Sequence, residues 1–176
     1  MSEKGLVHIY TGNGKGKTTA ALGLCLRAAG HGISSMIIQF MKGRETGELK
    51  SAEMSNSLIT IEQYGSPELL VNNNPELFAE HKDEALRGYT RAMKIMRENS
   101  YGILILDEIL NLINFRLIDL QAAIALVKSK PEPMELVLTG RGAPDELVRL
   151  ADLVTEMREI KHYYTEGIPA RKGIEF

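Results

Sequence analysis

The chain has 176 residues, of which 44% are hydrophobic and 25% charged, and its formal net charge is −2. This composition is typical of a folded globular protein and argues against one that coats nucleic acid. The single cysteine, Cys25, excludes an internal disulfide and a cysteine-rich metal site, and its Ala- and Leu-rich surroundings predict a buried, unreactive thiol. No signal-peptide pattern and no membrane-spanning apolar run are found. We therefore expect one cytoplasmic domain over residues 1–176, without nucleic acid or membrane partners.

The charged residues are distributed unevenly along the chain. Between Lys4 and Arg44 there is no acidic residue, whereas six residues are basic. This segment therefore carries +6 and the remainder −8. Such a separation favours an anionic ligand near the start of the chain, although chance clustering on a solvated face would give the same count.

Short apolar runs alternate with longer amphipathic runs. We expect strands at 6–10, 35–40, 58–64, 102–106, 135–139 and 153–157, and helices at 17–29, 75–99, 119–129 and 144–152. This alternation predicts an α/β fold with a mostly parallel sheet and helices on both faces. Ligands of such sheets bind at the carboxyl ends of the strands.

The longest predicted helix has a stripe of large apolar residues. Leu86, Tyr89, Met93 and Met96 recur at intervals of three and four, which places them on one helical face. A methionine-containing stripe of this kind is typical of core packing. We therefore expect these four side chains in the core and not around a cofactor.

The strongest functional signal lies between the first predicted strand and the first predicted helix. It consists of Gly12, Asn13, Gly14, Lys15, Gly16, Lys17, Thr18 and Thr19. Glycines let successive backbone N–H groups point at a polyphosphate, and the following helix adds its positive dipole end. Lys17 would bind phosphate oxygens, and Thr18 would offer its hydroxyl to Mg²⁺ or Mn²⁺. The stretch predicts a phosphate loop and a P-loop NTPase-like fold; a flexible linking turn is the alternative.

Two details of this stretch qualify the pattern. The strict phosphate-loop pattern has glycine where this chain has Thr11, so the loop is a variant. For Lys15, a second phosphate contact and a solvated side chain are equally compatible with the sequence.

Two carboxylates follow the apolar strand predicted at 102–106. Asp107 and Glu108 come at its carboxyl end, where P-loop proteins place the acid that reaches the metal of the bound nucleotide. An ordinary acidic turn is the alternative. Together with the glycine-rich loop, these residues predict ATP or GTP bound with Mg²⁺.

Further motifs occur in a fixed order along nearly the whole chain, at 12–21, 39–43, 106–108, 138–142, 150–157 and 161–175. In these stretches the sequence resembles the ATP:corrinoid adenosyltransferases of the CobA/CobO/BtuR type. The resemblance implies transfer of the 5′-deoxyadenosyl group of ATP to the Co(I) of a corrinoid, with release of triphosphate, in adenosylcobalamin synthesis or salvage. It also implies ATP bound with its terminal phosphates on the loop, a homodimer, and a flavoprotein as electron donor.

The chemistry implied by the resemblance assigns roles to several residues. Lys17 and Glu108 are the expected catalytic residues, because charge on the departing triphosphate must be stabilised by the loop and by a metal ion. Glu108 and Thr18 are the expected metal ligands, and Asp107 ranks below them.

Two basic residues follow strands at the ligand edge of the predicted sheet. Lys42 comes after the second strand and Arg141 after the fifth. We expect both to contact phosphate or corrinoid side groups, and a surface salt bridge is the alternative.

Two features depart from the family pattern. Longer members have an N-terminal extension that helps to cover the active site, and we expect this chain to lack it, because its first strand is predicted at about residue 6. Members often have a Gly-Phe-x-Trp-like stretch after the third strand, where this chain has Gly-Ser-Pro-Glu at 65–68. Tyr64 and Phe78 are candidate substitutes for these aromatics, with core packing the expected role of Phe78.

Two other functions compete with adenosyl transfer. A P-loop ATPase or small-molecule kinase would share the phosphate loop and the acidic strand end. A non-catalytic nucleotide- or corrinoid-binding protein would share the fold without the reaction. The products formed from ATP distinguish the three functions.

Overall fold

The computed structural model describes residues 4–68, 70 and 74–176. Its strands are β1 (Val7–Thr11), β2 (Ser35–Phe40), β3 (Ile59–Tyr64), β4 (Ile103–Asp107), β5 (Glu135–Thr139) and β6 (Leu153–Glu156). Its helices are α1 (Lys17–Ala29), α2 (Gly47–Glu53), α3 (Pro75–Glu98), α4 (Ile109–Asn114), α5 (Leu120–Lys128) and α6 (Asp145–Val148), followed by a 3₁₀ helix at Tyr163–Glu166.

The described strands form one parallel sheet in the order β3-β2-β4-β5-β1-β6. This confirms the predicted α/β architecture. Because all strands run in the same direction, their carboxyl ends meet at one edge of the sheet. The glycine-rich loop follows β1 at this edge, and Lys42, Asp107 and Arg141 follow or end β2, β4 and β5 there.

Buried apolar side chains cover both faces of the sheet. Ile37, Ile105 and Val137 point toward α1 and pack with Cys25. Neighbouring residues in the same strands, such as Ile38, Leu104, Leu106, Leu136 and Leu138, belong to the larger cluster formed with α3, α4 and α5. Successive strand residues point to opposite faces, so this division confirms the predicted helices on both faces.

Cys25 is fully buried, as predicted. Burial raises the pKa of its thiol to about 11, so the thiol remains protonated at neutral pH. The prediction of a buried cysteine is confirmed.

The predicted bounds are correct for β2, β5 and α1, and the predicted helix at 144–152 is too long. Helix α6 ends at Val148, and a turn then brings Asp152 beside β1. Its backbone N–H donates to the carbonyl of Val7 at 2.8 Å, and its carboxylate accepts from the N–H of Val7 at 2.8 Å. The short helices α2 and α4 were not predicted, because seven and six residues are too few to show a helical period.

The predicted core stripe of α3 is partly wrong. Met96 is buried, but Leu86 is 45% exposed and Tyr89 and Met93 are only partly buried. The buried face is rotated by about one residue toward small side chains: Ala85, Gly88 and Ala92.

Close packing at Gly88 explains this rotation. A Cβ atom at Gly88 would lie 2.5 Å from the ring of Phe40 and 3.0 Å from that of Tyr64. The helix therefore approaches the sheet through its small residues, and its large side chains flank the contact. The predicted core role of Phe78 is also wrong, because this side chain is 37% exposed.

None of the described helices is both long enough and apolar enough to cross a membrane.

Candidate functional site

The glycine-rich loop connects β1 to α1 and packs against the backbone that follows β6. Gly12 and Gly16 have φ angles of 99° and 120°, which favour glycine. The N–H of Gly14 donates to the carbonyl of Met157 at 2.7 Å. A Cβ atom at Gly12 would lie 2.4 Å from the same carbonyl oxygen. The glycines therefore let the loop curl and let it approach its neighbour closely.

Lys17 begins α1 and turns its ammonium into the loop. Its Nζ donates to the carbonyls of Gly12 at 2.6 Å and Gly14 at 2.9 Å, and the residue is 7% exposed. Burial lowers the pKa of Lys17. The first turn of α1 contains no acidic residue, so its positive dipole end reinforces this charge. The arrangement suits a polyphosphate.

Asp107 lies at the centre of the polar network, and it is 1% exposed. Its Oδ1 accepts hydrogen bonds from the hydroxyls of Thr18 at 2.9 Å and Thr139 at 2.7 Å. Its Oδ2 accepts from Lys42 Nζ at 2.9 Å and Gln39 Nε2 at 3.3 Å. The carboxylate thus connects α1 to the ends of β2 and β5. This position is more central than the sequence suggests, since Asp107 ranks there below Thr18 and Glu108 as a metal ligand.

Glu108 follows directly and has a left-handed backbone, with φ of 65°. Its N–H donates to the hydroxyl of Thr139 at 2.9 Å, and its carboxylate accepts from Asn111 Nδ2. Burial and the neighbouring Asp107 raise the pKa of Glu108. A non-glycine residue in this conformation costs about 1–3 kcal/mol, and such strain clusters at functional sites.

Lys42 lies between two carboxylates. Its Nζ is 2.9 Å from Asp107 and 3.6 Å from Glu48, and its side chain is a quarter exposed. Gln39 Nε2 also donates to Glu48 at 3.1 Å, while Gln39 Oε1 accepts from Gln63 Nε2 at 3.0 Å. This side-chain ladder crosses the ends of β2 and β3. Sequence reasoning missed Glu48, because it lies in the unpredicted helix α2.

The turn that carries Lys42 is fixed by glycine packing. A Cβ atom at Gly65 would lie 2.5 Å from the backbone nitrogen of Lys42, and one at Gly43 would lie 2.6 Å from the carbonyl oxygen of Gly65. The turns after β2 and β3 therefore pack backbone against backbone. The 65–68 stretch, which departs from the family pattern, belongs to this contact.

Arg141 is exposed in the turn after β5. Its N–H donates to Asn111 Oδ1 at 2.8 Å, and its carbonyl accepts from Asn114 Nδ2 at 2.7 Å. These bonds hold the backbone, while the guanidinium makes no hydrogen bond or ion pair with the described residues. The two asparagines of α4 were missed by sequence reasoning, because only the folded chain brings them to this turn.

Lys15 lies on the outer side of the loop. Its Nζ donates to the hydroxyl of Tyr163 at 2.9 Å, the carbonyl of Ile174 at 3.2 Å and the carboxylate of Glu175 at 2.6 Å. The structure therefore pairs Lys15 with a distant segment and does not leave it fully solvated. Of the remaining loop residues, Asn13 and Thr19 are exposed.

The oxygen donors of this site suit a magnesium ion that arrives with a nucleotide. Among the described residues there is no group of three or more His, Cys, Asp or Glu side chains that could hold a metal ion. Mg²⁺, however, commonly binds through one or two carboxylates together with substrate phosphates. Asp107 accepts from Thr18, and Glu108 is the next residue. This donor set fits the ion.

Comparison with known proteins agrees with this geometry. The family model for ATP:corrinoid adenosyltransferase BtuR/CobO/CobP matches residues 3–176. A corrinoid adenosyltransferase from a Sinorhizobium species is 34% identical over 182 residues, covering 99% of this chain and 81% of the relative. The corrinoid adenosyltransferase of Escherichia coli (strain K12) is 30% identical, covering 100% of this chain and 88% of the relative. The corrinoid adenosyltransferase CobA of Salmonella typhimurium is 29% identical with the same coverage.

Proposed function

The chain belongs to the ATP:corrinoid adenosyltransferase family BtuR/CobO/CobP and is a corrinoid adenosyltransferase, and from its site we propose how its residues serve that reaction. The enzyme transfers the 5′-deoxyadenosyl group of ATP to the cobalt of a reduced corrinoid in cobalamin synthesis. A bond forms between cobalt and C5′, the bond from C5′ to the triphosphate oxygen breaks, and its electron pair leaves on triphosphate.

Co(I) is a strong nucleophile, so the reaction needs no general base. What the protein must supply is alignment of C5′ with cobalt and stabilisation of the charge on triphosphate. The observation that carries the proposal is the buried Lys17 ammonium, held within the curled loop by Gly12 and Gly14. We assign to Lys17, the loop N–H groups and the start of α1 the binding of the terminal phosphates, with Asn13 and Thr19 at the rim.

We assign the metal to Thr18, Asp107 and Glu108, which would hold Mg²⁺ or Mn²⁺. When bound, the ion would neutralise part of the triphosphate charge. Asp107 is the strongest candidate ligand, because its buried carboxylate already accepts from Thr18. Lys42 on the other oxygen of Asp107 adds positive charge beside the phosphates.

Arg141 is proposed to bind the second substrate. Its exposed guanidinium has no partner among the described residues, and its backbone is fixed by α4. A positioned cation at the ligand edge suits a phosphate oxygen or a polar side group of the corrinoid.

One assay tests the reaction. The protein is incubated with MgATP and a chemically reduced Co(I) corrinoid, and both the visible spectrum and the phosphate products are followed. We expect a light-sensitive alkylcobalt product and triphosphate in equal amounts. Release of ADP or orthophosphate would favour a P-loop ATPase or kinase, and binding without turnover would favour a carrier.

Four further proposals follow from the family. We propose a homodimer, supported by the exposed Leu153 and Val154 on the edge strand β6, and sedimentation analysis tests it.

Reduction of cobalt to Co(I) requires an electron donor, for which we propose a flavoprotein. The use of ATP and a reduced corrinoid favours a cytoplasmic location. We propose that residues 1–176 act as one domain, supported by the single sheet that strands from 7 to 156 form.

A further inference from the structure

The 163–176 segment, which begins with the 3₁₀ helix, takes up the hydrogen-bonding capacity of Lys15. An ammonium group has three hydrogens. The three acceptors of Lys15 among the described residues all belong to this segment: the Tyr163 hydroxyl, the Ile174 carbonyl and the Glu175 carboxylate. Hydrogen bonding to Glu175 and Tyr163 raises the pKa of Lys15. In this state Lys15 has no hydrogen left for a phosphate oxygen.

The segment is itself organised around Glu175. Its carboxylate accepts from the backbone N–H of Arg171 at 2.7 Å and from the hydroxyl of Tyr163, and it pairs with the Arg171 guanidinium at 3.3 Å. The Arg171 guanidinium also lies 4.8 Å from the centre of the Tyr163 ring. Arg171, Lys15 and Tyr163 hold the pKa of Glu175 well below its usual range. The segment is therefore a folded unit with an ionised carboxylate at its centre.

The far end of the segment reaches the other side of the ligand edge. A Cβ atom at Gly47, the first residue of α2, would lie 4.0 Å from the backbone of Phe176. Helix α2 carries Glu48, which pairs with Lys42. In the sheet, β4 and β5 separate β1, which precedes Lys15, from β2, which precedes Lys42. The segment thus links the phosphate loop to α2 across this edge.

The two lysines of the loop have different surroundings. Lys17 is buried and bonded inward to loop carbonyls, whereas Lys15 has a side chain 40% exposed and is bonded outward. The loop is also held on its other side, where Gly14 donates to Met157. The chain that follows β6 therefore contacts the loop at two points, Gly14 and Lys15.

We propose that Lys15, Tyr163 and Glu175 are positioning residues, and that the 163–176 segment clamps the phosphate loop in its triphosphate-binding conformation. The proposal rests on the ATP site described under the proposed function. It makes Lys15 an anchor for the segment and not a phosphate ligand. If Glu175 instead competed with phosphate for Lys15, removal of its carboxylate would lower KM for ATP.

The test compares Glu175→Gln, Lys15→Met and the double variant in the full chain. We expect KM for ATP to rise about fivefold in each single variant, with kcat changed less than twofold. The reason is that each variant loses about one charge-assisted hydrogen bond between the segment and the loop. The double variant should be no worse than either single one, because both substitutions remove the same ion pair. Glu166→Gln is the matched control, since it removes an exposed carboxylate of the same segment that pairs with Lys161, and KM should not change.

Two kinetic results would overturn the proposal. A lower KM in Glu175→Gln would mean that the carboxylate competes with phosphate, and a double variant with multiplied defects would mean that Lys15 binds phosphate on its own. Calorimetric titration with ATP alone separates this question from the reaction. If the wild-type chain binds no ATP, the proposed function and the clamp both fail. If it binds ATP and the clamp variants bind equally well, the clamp alone fails.

Discussion

The two halves of the ligand edge are built differently. On the β1 side, backbone forms the site: Gly12 and Gly14 pack directly on Met157, and Lys17 is held by loop carbonyls. On the β2–β3 side, side chains form it, through the ladder that joins Lys42 and Gln39 to their partners. A backbone-built half admits few substitutions, whereas a side-chain-built half can change its ligand preferences residue by residue. The departure from the family pattern at 65–68 lies beside the second half, in the backbone contact between the turns after β2 and β3.

The largest effect is expected in the backbone-built half. Lys17→Ala removes the buried charge that we propose binds the triphosphate and should lower kcat/KM by about a hundredfold or more, equivalent to roughly 3 kcal/mol or more by analogy with oxyanion donors. The adenosyl-transfer assay measures it. Near-normal turnover in this variant would contradict the phosphate-loop mechanism.

Asp107→Asn should break the link between the two halves. Asparagine keeps the shape, but its NH2 group replaces one carboxylate oxygen and cannot accept, so either the two threonine hydroxyls or Lys42 and Gln39 lose their acceptor. We expect about 2 kcal/mol lower free energy of unfolding and a higher Mg²⁺ requirement. Urea unfolding and a Mg²⁺ titration of activity measure the two effects. An unchanged Mg²⁺ requirement would assign the metal to Glu108.

Gly65→Ala tests the backbone contact that positions Lys42 and its side-chain ladder. The new Cβ atom would lie 2.5 Å from the backbone nitrogen of Lys42, so the turn must move, at a cost of about 1–3 kcal/mol in the free energy of unfolding. Gly23→Ala is the control, because it lies exposed within α1 with nothing within 4 Å and should stabilise the protein by about 1 kcal/mol. Thermal unfolding of both variants should therefore shift in opposite directions; two shifts of the same sign would contradict the packing of the two turns.

The smallest effect concerns pH. The pKa of Glu108 is raised by burial, so the folded state holds its proton at pH values where the unfolded chain has lost it. The unfolded state binds fewer protons there, so the free energy of unfolding falls as pH rises from the ordinary glutamate pKa through the raised one. Glu108→Gln should remove this part of the fall, as urea unfolding at several pH values measures. An identical pH dependence in the variant would mean that another group causes it.

Much of the fold could be predicted because its signals are local. The bounds of β2, β5 and α1 follow from uninterrupted apolar runs and from a glycine-rich start, and the phosphate loop has a spacing of its own. The buried face of α3 could not be predicted, because the small residue Gly88 decides it through contact with Phe40, from a distant strand.

The candidate site divides in the same way. Lys17, Thr18 and Asp107 could be proposed from the sequence because each lies at a strand or helix end that the sequence marks. Glu48 was missed since its helix is too short to show a period. Glu175 was missed since its partner, Lys15, is 160 residues away in the sequence and no local pattern links them.

The place of β1 in the sheet has a consequence for biosynthesis. Among the described strands, β1 pairs with β5 and β6, so residues 7–11 find their partners at 136–139 and 153–156. Contacts this distant in sequence form late and slowly. During synthesis β1 must therefore wait, unpaired, until residues 136–156 have left the ribosome. The glycine-rich loop that follows β1 is therefore made early, yet it reaches its final place only after the distant strands β5 and β6 are made.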